Sequence, residues 1–449
     1  MKKYELTENT LVRDGVTLYQ VRYLKAFKKD GVKVGDLGGY VESEENFSQE
    51  GTCLILDEGV AMGNAKVTMD ASIRQRGMIR GHVVLAGKAL VLHDSLVSDQ
   101  AVITGNTRIC HRAKVTGTVI IRDDVQLMGD CHITGNTVLA GSVWVKDNAY
   151  ISMNKLPDTS LHPAHIYESV KVFGDAQITG DAILFGIVEV CEKAEISGSP
   201  VISGITTIMG TAGIGEQATI TGTVEVSGNS LVKGKATLAG TIVFKDSLIE
   251  GIATVTGACS ITGRCFIYDK AVIADSIMMN GAQLHQSAEL RSSKLDGDIT
   301  AYNNAKIISS QLAGQEVSLK GYVKLYKVEM KNGMNIKIMD KSTLHYLLLE
   351  KCENVRMYDD AMLDGDSDEG RIVITGKTIT LADNAEIGSS VVILGTNVDI
   401  RGHASVKGKV VIGNDVFLTE LASIENEDPY TPYALNHEVI GMDTNIFIS

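Results

Sequence analysis

From Asn64 to His111 the chain reads NAKVTM DASIRQ RGMIRG HVVLAG KALVLH DSLVSD QAVITG NTRICH, and the six-residue beat continues without a gap to Met153. In those fifteen units the fourth position runs Val67, Ile73, Ile79, Leu85 and onward to Val145 and Ile151, never leaving Val, Ile or Leu. The second position is small or apolar and uncharged, as in Ala65, Ala71, Gly77, Val83, Ala89 and Ser95. Side chains alternate along a strand, so positions two and four share one face. The remaining residues, often Gly, Asn or Asp, turn a corner where positive φ must be tolerated. Three short strands and three corners close a coil of about 18 residues, and successive coils stack through backbone ladders. The fold class predicted is all-β: a single-stranded parallel β-helix of the hexapeptide-repeat type.

A second run of thirteen units, Ser169 to Asp246, keeps Val172, Ile178, Leu184 and Val190 through Phe244 in the fourth position. Between the runs, residues 154–168 (NKLPDTSLHPAHIYE) break the beat and carry Pro157 and Pro163, which reads as a loop thrown out from one corner. Slips of one residue fall near Ser247–Gly251, Ser276–Asn280 and Ser293–Gly297. An acidic insertion, 363–370, holds DGDSDEG; coils from about 305 to 370 are irregular, and the period recovers from about Arg371 to Ile424. Solenoid ends expose strand edges that need cover. Residues 1–45 are therefore expected to form one cap, with the strand-like TLYQVRYL and a turn at Asp30-Gly31, and 425–449 a C-terminal cap or tail around the solenoid 46–424.

Composition agrees with thin, regular packing. Of 449 residues 44% are hydrophobic but only 5% aromatic, with 45 Gly and 5 Pro. The net charge of −13 weighs against binding a nucleic-acid backbone. Seven scattered cysteines do not make a disulfide framework, and Cys131, Cys259 and Cys265 fall in inward slots as core thiols. MKKYELTENTLVRDG has no apolar signal-peptide core, and no apolar run is long enough to span a membrane. A soluble, cytoplasmic protein is expected.

Val34–Gly51, VGDLGGYVESEENFSQEG, followed by GNAKV-type hexads, resembles the YdcK-like hexapeptide-repeat proteins, bacterial and prophage-associated and commonly labelled acetyltransferases. Gly38-Gly39-Tyr40-Val41 and Ser48-Gln49-Glu50-Gly51 carry the resemblance most specifically. It covers the N-terminal segment and the first ten or so coils. It implies left-handed winding, and by analogy with acyltransferases of that fold a homotrimer, acetyl-CoA bound between coils and a catalytic His near a subunit interface.

Ten histidines could supply the base that acyl transfer requires. His82, His93, His111 and His132 occupy outward or corner positions, and His285, His345, His403 and His437 lie in later coils. His162 and His165 stand apart because the interrupting loop carries them, and loops on rigid scaffolds often hold function. They are the catalytic candidates, against the plainer reading of two solvated polar residues. No ligand cluster accompanies this pair, so no metal site is expected. No basic CoA-phosphate patch stands out: Arg74, Arg76 and Arg80 cluster within one coil, which a solvated face explains more often than a ligand does. Asp364, Asp366 and Asp368 have the spacing that opens a calcium loop, but the Gly and the closing Glu are misplaced, which favours a solvated turn. Met278-Met279, Tyr346–Leu349 and Val391–Leu394 carry apolar residues beyond one inward face, suited to self-association or to filling irregular coils.

Two functions follow. One is a non-enzymatic solenoid scaffold presenting an acidic surface to a protein partner. The alternative is an acetyl-CoA-dependent acyltransferase using a loop histidine as general base.

Overall fold

A computed structural model of the chain describes residues 2–263 and 391–448, apart from 429, 437, 442 and 443; between 264 and 390 it describes backbone strands and scattered residues. The fold is an all-β solenoid of stacked parallel coils, with single-turn 3-10 helices at Lys28–Asp30 and Glu44–Asn46. The chain divides into two units, Met1–Gly222 with Val226–Gly228, and Thr223–Glu225 with Asn229–Ser449.

In the first unit nearly every hexad makes a short strand from its third and fourth positions, such as Lys66–Val67, Ser72–Ile73 and Met78–Ile79. Each pairs in parallel one coil on: Leu90 and Val91 lie beside Arg108 and Ile109, and Val102 and Ile103 beside Ile120 and Ile121. The Thr104 N–H donates to Ile121 O at 2.8 Å, and the Arg108 N–H to Val125 O at 2.9 Å. The fourth-position column from Val67 to Ile151 is wholly buried, as is the second-position column from Ala65 to Ala149. Each such aliphatic contributes about 1.5–3 kcal/mol by leaving water.

The corner lies at the sixth position, in the left-handed region: φ is 71° at Gly105, 68° at Asp99, 67° at Asp123, 58° at His93 and 62° at His111. That conformation costs a non-glycine residue about 1–2 kcal/mol. Side-chain acceptors offset it by bonding the corner amide of the next coil. Asp99 Oδ2 accepts the Gly117 N–H at 2.8 Å, Asp123 Oδ2 the Gly141 N–H at 3.0 Å, and Gln75 Oε1 the His93 N–H at 3.0 Å.

The interruption lengthens one coil. Trp144 pairs with Lys171 and Tyr150 with Gln177, so partners normally eighteen apart stand twenty-seven apart. The excursion is shorter than the 154–168 expected. Pro163–Glu168 is already a hexad: Ala164 and Ile166 fill the inward second and fourth positions, and Glu168 turns the corner at φ 66°. Only residues 154–162 leave the coil path.

At the N-terminus β1 (Tyr4–Arg13) and β2 (Val16–Tyr23) form an antiparallel hairpin. Its turn is Asp14-Gly15, with φ of 51° and 78°. The second strand and the Asp30-Gly31 turn lie where expected; the Asp14-Gly15 turn was not among the expectations, although Asp-Gly is a strong hairpin signal. β3 (Leu37–Val41) pairs antiparallel with β2 and parallel with Val60–Ala61, joining the hairpin to the coils. Tyr23 Oη accepts the Ile55 N–H and donates to Ile55 O, both at 2.9 Å.

In the second unit Thr237–Lys245 pairs with Thr254–Thr262 seventeen residues on, as a slip near Ser247–Gly251 requires. Longer strands, Gln311–Leu319, Lys324–Ile338 and Thr343–Leu349, fill the stretch whose period was blurred. Short strands return at Glu386–Ile387, Val392–Ile393 and Asp399–Ile400. Beyond Glu425 the chain still stacks in parallel, Tyr433–Leu435 on Val410–Ile412 and Asn445–Ile448 on Ser423–Asn426. The aspartates considered for calcium lie outside the described residues, as do His285 and His437 and the side chains of His345, Met278-Met279 and Tyr346–Leu349. Of the third apolar stretch, Val391 and Ile393 are buried and Leu394 is exposed.

Candidate functional site: the histidines of the insertion and of one corner

The two insertion histidines have different surroundings. His165 is a third-position residue, nominally outward, yet it is 1% exposed, and its ring bonds the Lys155 backbone of the excursion. Its Nδ1 accepts the Val138 N–H at 3.1 Å. In the coil before, the equivalent Ile120 N–H goes to a main-chain acceptor, Thr137 O, at 2.9 Å. Burial pushes the His165 imidazole down to about 4, with the Asp181 charge and a hydrogen bond to the Lys155 backbone acting against that shift. The ring is therefore neutral near pH 7 and fastens the excursion to the coil.

His162 is half-buried at the end of the excursion. Its Nδ1 lies 3.2 Å from Tyr167 Oη, and its ring centroid is 5.7 Å from that of Phe185. Tyr167 and Phe185 stack at 5.1 Å with an interplanar angle of 2°. Arg122 Nη2 donates to Pro163 O at 2.6 Å and holds the same segment. His162 and His165 are thus neighbours in sequence with separate partners.

The arginines clustered in one coil each face a carboxylate: Arg74 with Asp30 at 2.5 Å, Arg76 with Asp94 at 2.5 Å, and Arg80 with Asp14 at 3.1 Å. The Arg76–Asp94 pair belongs to a column of alternating sign, Glu58, Arg76, Asp94, Arg112, Asp130, in which Arg112 pairs with Asp130. Such exposed pairs organise a surface more than they stabilise it.

A different group was missed in the sequence. His93 and His111 occupy the same corner one coil apart, with rings stacked at 5.0 Å and 15°. The buried Cys110 brings Sγ to 3.4 Å from His111 Nδ1. One ligating atom from each of the three lies within 4.8 Å of the others. The signal for it lies in the spacing, since residues eighteen apart stack. His82 bonds Asn64 and His132 bonds Thr116, each through Nε2 at 3.0 Å, and burial lowers the His132 imidazole.

The six cysteines described are free thiols, and those in inward slots are buried core groups. Among the described residues no helix is long and apolar enough to cross a membrane. The arrangement defines the class, a parallel β-solenoid. Neither a protein-family model nor a curated protein sequence matches the chain.

Proposed function

We propose that this protein is a non-enzymatic β-solenoid scaffold whose outward columns present an acidic surface to a protein partner. The observation that carries the reading is the use made of His165. Its ring is buried, neutral and hydrogen-bonded to Val138, so it holds the insertion in place and offers no base to a substrate. The carboxylate partners of Arg74, Arg76 and Arg80 support the same reading, because a CoA-phosphate patch needs cations facing outward unpaired.

One observation favours the alternative, an acetyl-CoA-dependent acyltransferase of the YdcK-like kind, left-handed and trimeric. His162 is half-buried beside a tyrosine hydroxyl and an aromatic pair, surroundings suited to a general base. Titration calorimetry of the full chain with acetyl-CoA separates the two. The scaffold reading expects no heat at several temperatures. Binding near 1 μM, about −8 kcal/mol, together with acetyl transfer lost in His162→Ala, would replace it with the enzyme.

A further inference from the structure

We propose that His93, Cys110 and His111 form a three-ligand site for a thiophilic transition-metal ion of the zinc class, on one corner edge of the first unit. The three donors come from adjacent coils and converge within 4.8 Å. Tetrahedral zinc with N and S ligands needs donors about 3.5 Å apart, and Cys110 Sγ and His111 Nδ1 already stand at 3.4 Å. Small side-chain rotations bring in His93.

The corner ladder shows which atoms coordinate. Going up this edge, Asp57 accepts the Gln75 N–H and Gln75 the His93 N–H, each at 3.0 Å, while His93 Nδ1 accepts the His111 N–H at a longer 3.3 Å. His93 therefore carries its lone pair on Nδ1, and an ion there replaces one long hydrogen bond. At His111 the ring nitrogen turns to the thiol of its own coil. The residue that would stack next is Gly129, which leaves the far side open to a cleft lined by His93, His111, Met128, Lys146 and Asp147. Water from that cleft would complete the fourth position, as in three-ligand zinc sites.

Donor chemistry selects the ion. Of the carboxylates that line the cleft, Asp94 and Asp130 are held by Arg76 and Arg112, and Asp147 accepts the Gly174 N–H at 3.1 Å. Two imidazole nitrogens and a sulfur then remain as ligands, a set that suits zinc and similar soft ions and not magnesium or calcium.

The test uses the full chain stripped with chelator and titrated with Zn²⁺ and, separately, Co²⁺. One ion per chain is expected, and the cobalt form should show thiolate-to-metal charge-transfer absorption. Cys110→Ser should abolish that absorption. His93→Gln and His111→Asn should each weaken zinc by roughly 100-fold or more. Both substitutions suit the corner, since Gln75 already fills it one coil earlier and Asn tolerates positive φ. Circular dichroism would confirm that the variants keep their coils. Absence of the absorption in the parent chain, its survival in Cys110→Ser, or unchanged zinc affinity in folded His93→Gln and His111→Asn would each overturn the site.

Discussion

His165 holds both main-chain groups of Val138: its Nδ1 accepts the Val138 N–H at 3.1 Å, and its own N–H donates to Val138 O at 3.1 Å. A side chain thus supplies an acceptor that backbone supplies in the coil before, and the inserted residues pass over the seam. Protonating the ring must break the first of these bonds. His165 is held down at about 4, below the ordinary 6.5, so above pH 6.5 its stabilising effect is complete. Between the two values the unfolded chain takes up a proton that the folded chain refuses, and stability falls as pH falls. The loss by pH 4 is on the order of 2–3 kcal/mol. Urea unfolding at pH 7 and pH 4.5, compared with His165→Gln, should show a steeper acid loss in the parent. Equal pH dependence would refute this.

The same fastening predicts a local effect. His165→Ala should expose 154–162 to proteolytic nicking while the coils stay intact, because the ring's bond to the Lys155 backbone is lost. Cleavage outside that segment would argue against the assignment.

Two glycines of similar φ should behave differently. At Gly105, φ is 71° and an added Cβ would sit 2.3 Å from Asp123 N of the next coil; at Gly15, φ is 78° and nothing lies within 4 Å. Gly15→Ala should cost about 1 kcal/mol from backbone strain alone. Gly105→Ala should cost several times more, roughly 3 kcal/mol or above, because stacked backbones must part. Denaturant midpoints would compare them directly.

Corner aspartates give a graded case. Asp99→Asn keeps an acceptor for the Gly117 N–H and a residue tolerant of positive φ, so the change should stay within about 0.5 kcal/mol. Asp99→Ala loses both and should cost about 2 kcal/mol. Similar losses in the two variants would show that the ladder bond does not stabilise the corner.

Lys3 is 1% exposed, with Nζ 3.1 Å from Cys53 O, 2.9 Å from Cys53 Sγ and 4.1 Å from the Phe47 ring centroid. Desolvation lowers its ammonium from the ordinary 10.5. Its contribution to stability is full above pH 10.5 and declines as pH falls through the folded value, so the charged form is a burden near neutrality. Lys3→Met, similar in volume, should equal or exceed the parent in stability at pH 7 and flatten the dependence at alkaline pH. A marked loss at pH 7 would mean that the charged hydrogen bonds outweigh desolvation.

The coils were legible because their cause is local. Val67 and Ile73 point inward for the same reason that any strand alternates, and no distant residue is needed to see it. The insertion was harder. Residues 154–168 look uniformly irregular, yet PAHIYE obeys the hexad rule with Ala164 and Ile166 inward, and Pro163 disguised its start. The hairpin turn at Asp14-Gly15 is visible only as a dipeptide, between strands whose pairing the dipeptide does not itself specify.

By itself the sequence determined which side chains face the core, because a six-residue period and strand alternation leave no other arrangement of the Val, Ile and Leu column. Tertiary structure alone decided what the outward residues do. Stacking sets His93 on His111 and Arg76 against Asp94, neighbours eighteen residues apart in the chain. His165, an outward position on any local reading, is buried and tied to the Lys155 backbone of the insertion. A residue's face is a property of its own strand; its partners belong to the coil above and the segment that covers it.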